Sequence, residues 1–531
     1  MGGVVVGVDV GTTGVKAVLT DRDGRVVAEA GEEYPTRYVE GNGAEQDPED
    51  WWQASARCVA ACLGSAGVAP VDVEGVGVSS QAPSVVVLDG SGSPVGPALL
   101  WLDRRGHGEC AARLDAAADV VAATGNRLDA YFAAPKLSWL LATHPEVRRS
   151  GATVLMANGY VVHRLTGVPT CDTGHQGLTL LGDLDSGRWS QPLLDLWGVP
   201  GGWLPEAVHP CTVVGRVDAE AARATGLLPG TPVVAGAVDG AAAGLEAGLA
   251  RHGDLCEMTG QSTVVNAAFQ ADRLRRDALG AMSVLPYPVP GHHLVYGSMV
   301  STGGILRWFR DEFGDRERGL AGSLLGSPTE PLARADGDAF AALDALAGTA
   351  PVGSGGLVLL PYFLGERSPI WDADARGALV GLSMASRRAD VVRAILEGTA
   401  YGLAHNLDEL GRLGLRPATL RSVGGGAKGQ TWNQIKADVT GLPVEVSPHT
   451  RGAPVGAAMV AAAGVGLVGD LAAAVSERAR ASAASVRRFE PDAERHAAYQ
   501  RYYAVYRELY PALRRSYELL TAARDNLSSR A

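Results

Sequence analysis

Gly7-Val8-Asp9-Val10-Gly11-Thr12-Thr13-Gly14-Val15-Lys16 joins two β-branched runs, Val4 to Val10 and Val15 to Leu19, and a third run, Arg25 to Ala28, follows Asp21-Arg22-Asp23-Gly24. β-Branched residues favour strands and glycine clusters favour turns, so the spacing predicts strand, turn, strand, turn, strand. An Asp at the end of a strand, ahead of a turn carrying backbone N–H groups and two hydroxyls, can hold a hydrated cation beside phosphate oxygens. An ordinary Gly-rich hairpin would read the same way in isolation. A comparable unit returns at Asp254 to Phe269, where Leu255 to Met258 and Thr263 to Val265 flank Gly260-Gln261-Ser262. The echo implies two halves with related cores.

Working outward, 531 residues exceed one ordinary core, so two large domains are expected. With 46% hydrophobic and 20% charged residues the chain can bury such cores. Its net charge of −11 and the lack of a dense basic run disfavour a nucleic-acid partner and favour a small ligand. Six scattered cysteines without a C-x-x-C pair or zinc spacing suit free thiols in a reducing cytoplasm; Cys58 and Cys62 read as a buried structural pair. Met1 to Val6 lacks a basic n-region, and no segment has membrane-spanning character. The most apolar stretch, Val455 to Val468, is short and reads as a buried helix. Nothing in the composition demands or excludes a homodimer.

Short apolar runs at Val73 to Val78, Ser84 to Leu88 and Pro232 to Ala237 alternate with helical patterns, which is α/β layering. Asp390 to Leu410 is predicted as one amphipathic helix, with Val392, Ile395, Thr399, Leu403, Leu407 and Leu410 at helical spacing and Asp390 near its start. The boundary between halves falls near Ala243 to Arg251. From about Pro491 a helix rich in Tyr and Arg is expected to pack on its own domain.

Two further motifs carry chemistry. Gly424, Gly426 and Gly429 satisfy G-x-G-x-x-G after a strand, and Glu445 stands about where a ribose-binding acid belongs, so an NAD-dependent dehydrogenase competes. If the glycines instead admit an adenosine, they and the first hairpin serve one nucleotide from opposite halves. No G-x-x-x-x-G-K-[ST] occurs, which excludes a P-loop. Val233 to Ala241 is a strand running into Asp239 and an Ala-rich helix. A carboxylate there can take a proton from an attacking hydroxyl, or can cap the helix.

At these residues the chain resembles the FGGY family of carbohydrate kinases, and within it the xylulokinase group. The most specific stretch is Gly377-Ala378-Leu379-Val380-Gly381-Leu382, then Asp390-Val391 and Ala394-Ile395-Leu396-Glu397. Supporting stretches are Glu45-Gln46-Asp47-Pro48 with Trp51 and Trp52, Trp101-Leu102-Asp103-Arg104-Arg105, Pro135-Lys136-Leu137 with Trp139, and Phe363 to Pro369. The resemblance implies two RNase H-like domains of the actin/Hsp70 ATPase type around an interdomain cleft: a sugar-binding domain over 1–246, a nucleotide-binding domain over 247–490 and a helical extension over 491–531. It implies Mg2+ and ATP as cofactors, Asp239 as general base and Asp9 at the metal. Thr12, Thr13, Lys16, Gly260, Gln261, Gly303, Gly425, Gly426 and Gly429 align with positions around the nucleotide. Gln81, Ala82, Pro83, Trp101, Asp103, His175 and Asp239 align around the sugar. Trp139 and Trp432 are expected in the core, and Arg367 is expected to pair with an acid.

Departures bear on the substrate. Gln261 stands where the family usually has Thr, Ala82-Pro83 where xylulokinases show Met-His, and His175 where an Asp is common; His175 is expected to be a surface histidine. The expected activity is phosphorylation of an open-chain ketopentose such as D-xylulose. The alternatives are a kinase of another ketose, a polyol or a sugar acid, the dehydrogenase, or a catalytically inactive nucleotide-binding protein, against which the intact Asp9 and Asp239 speak.

Overall fold

The structure is a computed structural model that describes residues 3–40, 42–149, 152–314, 332–448 and 450–528. Val4–Val10 is apolar almost throughout and buried on both faces, which sets it inside a sheet. It pairs antiparallel with Gly14–Thr20, which pairs antiparallel with Val26–Glu33. On its other side lies Val73–Ser80, parallel, then Pro232–Val234, parallel, and the antiparallel edge Val213–Arg216.

The second half repeats this order strand for strand. Leu255–Thr259 pairs antiparallel with Thr263–Gln270, and that strand with His292–Met299. On the other side come Leu420–Gly424 and Val444–Val446, both parallel, and the antiparallel edge Arg487–Phe489. The echoed hairpins are thus the same two positions of two like sheets.

Two helices lie between the sheets and fix their relation. Asp239–Glu246 packs against Ala453–Gly464, and the latter, though late in the chain, also packs on the first sheet. Small residues permit this: a Cβ at Gly7 would lie 1.9 Å from the Pro454 carbonyl oxygen, and one at Gly456 only 1.8 Å from that of Ala242. The stretch Val455 to Val468 is therefore a buried connector, as its composition predicts, over Ala453–Gly464.

Arg388–Arg412 is the long helix, and Asp390 accepts from the Arg387 N–H at 2.8 Å in its first turn. It packs against the C-terminal helix Ala493–Ser528, whose Tyr499 takes a hydrogen bond from Arg393 at 2.7 Å and gives one to Glu397 at 2.8 Å. Tyr506 joins Tyr362 at 2.7 Å, so the tyrosine-rich tail is seated on its own chain. Among the described residues no helix is long and apolar enough to cross a membrane. The six cysteines are free, five of them buried.

Candidate active site

Asp9 pairs across the sheet with Ser79, and Ser79 on its other side pairs with Ala237, two residues before Asp239. The sheet therefore delivers both acids to the same end, one closing a strand and one opening the helix Asp239–Glu246. Ser79 Oγ donates to Asp9 at 2.8 Å, and the Gly240 N–H donates to Asp239 at 2.6 Å. Burial, and after it the charge of Asp239, push the Asp9 carboxyl up to about 7 against the pull of the Ser79 bond and of Lys16, its cross-strand partner. Burial likewise raises Asp239 to about 6, against the Gly240 N–H and His175. Two desolvated carboxylates that repel one another make a place for a shared cation or proton.

Beside them stand Trp101 and Tyr131, whose rings meet edge-on at 6.4 Å. The Tyr131 hydroxyl donates to the Ala82 carbonyl at 2.9 Å, and buried Lys136 donates to the carbonyls of Ala130, Tyr131 and Phe132, which fixes the loop bearing Tyr131. Trp101 Nε1 donates to Thr12 Oγ1 at 2.9 Å, Thr12 donates to Gln81 Oε1 at 3.1 Å, and Gln81 Nε2 donates to Gln46 Oε1 at 2.9 Å. Gln46 also takes the Trp51 indole N–H at 2.9 Å, which gives the Glu45 to Trp52 stretch its purpose.

Several expectations change here. Gln81 is spent on Thr12 and Gln46, and Thr12 on Trp101 and Gln81; Thr13 and Lys16 are the exposed members of the hairpin. Asp103 is fully buried, accepting from the Ala44 N–H at 3.1 Å and pairing with Arg105, so it is a structural acid. His175 is fully buried rather than on the surface. Its Nδ1 meets Asp172 at 2.5 Å and its Nε2 meets Ser80 Oγ at 3.0 Å, which occupies both ring nitrogens. Ala82 and Pro83 are buried at the Tyr131 wall and offer no side-chain hydrogen bond. Trp139 is half-buried under Arg105, and Trp432 is core as expected. Arg367 has no carboxylate within ion-pair distance among the described residues, and meets an acid only through the charge of its neighbour Glu366; its guanidinium lies over Trp101 and Tyr131, 5.3 and 5.0 Å from the ring centroids.

In the second half the glycines converge on Thr259. A Cβ at Gly303 would lie 2.0 Å from the Gly260 oxygen, one at Gly424 would lie 2.6 Å from the Thr259 oxygen, and one at Gly426 would lie 2.5 Å from Thr259 Cγ2. Gly260 and Gly425 instead have open space before them, and with Gln261 they form an exposed rim. Beneath it Thr259, Thr263 and Thr302 link hydroxyls at 2.7 and 2.8 Å, and Thr259 donates to Glu257. Glu257 is buried, takes a bond from Ser422 on the parallel strand and pairs with Lys436 at 2.5 Å. It repeats the Asp9–Ser79 arrangement of the first half, with the charge neutralised.

The dinucleotide reading fails at Asp344, which sequence reasoning did not single out. In a dinucleotide fold the pyrophosphate sits on the N-terminus of the helix after the glycines. Here Asp344 accepts from the Thr431 and Trp432 N–H groups at 2.9 and 3.0 Å, capping Gln430–Thr440, and it fills the space beside Gly429. Glu445 is paired with Arg488 at 2.5 Å.

The sequence profile of the FGGY family of carbohydrate kinases, N-terminal domain, matches residues 4–245, and that of the C-terminal domain matches residues 258–465. The chain belongs to the FGGY family of carbohydrate kinases. This FGGY chain is 29% identical to a xylulose kinase of Bacillus subtilis over 507 residues, covering 95% of this chain and 96% of that one. It is 31% identical to a glycerol kinase of Gloeobacter violaceus, with 95% of each covered. The crystal structure of xylulose kinase from Rhodospirillum rubrum superimposes with a TM-score of 0.83 at 32% identity, covering 97% of this chain and 100% of that one. The repeated sheets are thus the two-domain, actin/Hsp70-like kinase fold.

Among the described residues no three His, Cys, Asp or Glu side chains cluster as a metal cage. Mg2+ is commonly held by one or two carboxylates together with phosphate oxygens and water, and Asp9, a buried carboxylate close enough to feel the charge of Asp239, fits that role. At the exposed rim Gly260 and Gly425 carry no side chain, which leaves backbone open to a nucleotide. A separate cavity of about 420 Å³ lies at the far end of the Asp239 helix, lined by Glu246, Arg421 and Arg478, and contains none of these residues.

Proposed function

We propose that this kinase transfers the γ-phosphate of Mg-ATP to a hydroxyl of a small open-chain ketose, a pentulose such as D-xylulose, in the cytoplasm, and that the chain divides into the sugar domain 1–246, the nucleotide domain 247–490 and the extension 491–531. The observation that carries this reading is the delivery of Asp9 and Asp239 to one end of the first sheet, beside the paired rings of Trp101 and Tyr131. Similarity to xylulose kinases supports the choice of acceptor.

Asp239, unprotonated above about pH 6, takes the hydroxyl proton as that oxygen bonds to the γ-phosphorus and the bond to ADP breaks. Thr13, Lys16 and the rim of Gly260, Gln261 and Gly425 hold the nucleotide from two sides, and Gly303 and Gly426 make room for that rim. Asp9 would hold the Mg2+, which when bound neutralises charge on the phosphate oxygens. Trp101 and the Ala82-Pro83 wall exclude water from the acceptor, which protects the phosphate from hydrolysis. Thr12, Gln81 and His175 act by positioning, and Gly429 by making room for Asp344.

A second reading, a kinase of another ketose, a polyol or a sugar acid, is favoured by the apolar Ala82-Pro83 wall and by the similarity to a glycerol kinase. An assay of ADP release across ketoses, polyols and sugar acids tests both. Saturable turnover with D-xylulose is expected, and turnover with another acceptor alone would replace the pentulose.

A further inference from the structure

Arg367 comes from the nucleotide half of the chain, yet its guanidinium lies over the two aromatic rings of the acceptor pocket, at 5.3 and 5.0 Å from Trp101 and Tyr131. The residue is 8% exposed, its Nε has no hydrogen-bond partner, and no carboxylate lies within ion-pair distance of it among the described residues. Leaving a buried guanidinium donor unsatisfied is costly, and such groups in native structures call for a partner. Its neighbour Glu366 takes no hydrogen bond from the guanidinium: its Oε1 accepts the Val300 and Arg367 backbone N–H groups at 2.8 and 2.9 Å, and the guanidinium acts on this carboxylate through charge alone. Ring faces can hold the cation in place but cannot satisfy its N–H groups.

We propose that Arg367 is a substrate-binding and specificity-determining residue, donating to two adjacent oxygens of the acceptor. The inference rests on the proposed sugar phosphorylation and deepens it. A guanidinium is a planar fork, matched to two oxygens held near one plane. An open-chain ketose presents such a pair in its keto oxygen and the neighbouring hydroxyl, whereas the corresponding polyol has two freely rotating hydroxyls at tetrahedral carbons. Arg367 therefore selects ketose over polyol. Because Arg367 is supplied by the second half and Trp101 and Tyr131 by the first, the acceptor would be held by residues of both halves.

The test compares kcat/KM for D-xylulose and xylitol in the wild-type enzyme, Arg367→Lys and Arg367→Ala, with ATP affinity measured separately. The wild type is expected to prefer D-xylulose by at least tenfold. Both variants should lose most of that preference through a raised KM for D-xylulose, with ATP affinity preserved, and methylguanidinium should restore part of it to Arg367→Ala. Arg367→Lys keeps the charge and most of the stem, so it guards against a folding artefact. Equal use of xylitol and D-xylulose by the wild type, or an undiminished preference in both variants, would overturn the role of Arg367 while leaving the kinase reading in place. A wild-type enzyme inert toward every acceptor would overturn the pentulose reading, and Arg367's role with it.

Discussion

The indole N–H of Trp101 donates to the Thr12 hydroxyl at 2.9 Å, so a wall of the acceptor pocket is pinned to the hairpin proposed to grip phosphate. Thr12 passes the bond on to Gln81 at 3.1 Å, and these two bonds use the hydroxyl as acceptor and donor at once. Substituting either end should therefore disturb one shared step. Thr12→Val and Trp101→Phe are each expected to lower kcat/KM about 5- to 10-fold, the worth of a hydrogen bond, and the double variant should lose little more than one of them. Losses that multiply in the double variant would show that the bond carries no coupling.

The pH profile should carry the mark of a buried base. Asp239 must be unprotonated to accept the hydroxyl proton, and burial raises it from the ordinary carboxylate value to about 6. Activity is thus present above that value and lost as pH falls through it, about tenfold in kcat/KM per unit below. An acid limb centred near 4 would mean that the base is solvated. Asp239→Asn should lower turnover by about 10²- to 10⁴-fold while ATP still binds, and its residual activity should lose the acid limb.

Much of the scaffold is written locally, and the site less so. The hairpin at Gly11 to Gly14, the helix Arg388–Arg412 and the Asp239 strand-to-helix turn could be read because periodicity and turn residues act over a few positions. The G-x-G-x-x-G pattern was equally visible and misleading, since what rules out a dinucleotide is Asp344, a side chain from a different helix. The stacking of Arg367 on Trp101 joins opposite halves of the chain, and no local pattern announces it. His175 lies in a short polar stretch that looks like surface; it is buried because Asp172 and Ser80 satisfy its ring.

Glu257 and Lys436 form the buried counterpart of the first-half acid. Lys436→Met leaves Glu257 buried without its cation beneath the Thr259 rim, which should cost about 3–5 kcal/mol. Adding Glu257→Gln removes the stranded charge while keeping acceptors for Ser422 and Thr259, so the double variant should regain most of the loss. Denaturant unfolding measures this, and a double variant no more stable than Lys436→Met would show that packing of the lysine stem dominates.

Asp344 offers the sharpest contrast between the two readings of the glycine turn. Its carboxylate caps the helix that follows and stands where a dinucleotide's pyrophosphate would need to be. Asp344→Ala removes the cap, worth about 1 kcal/mol, and should loosen the Gly424 to Gly429 turn. The KM for ATP is then expected to rise about 5-fold with kcat nearly unchanged, as for a turn proposed to bind nucleotide equally in the ground and transition states. Vacating the helix end should not create an NAD site, since Glu445 remains paired with Arg488. Titration with NAD decides the point: tight binding that appears only in Asp344→Ala would mean that the glycines are shaped for a dinucleotide after all.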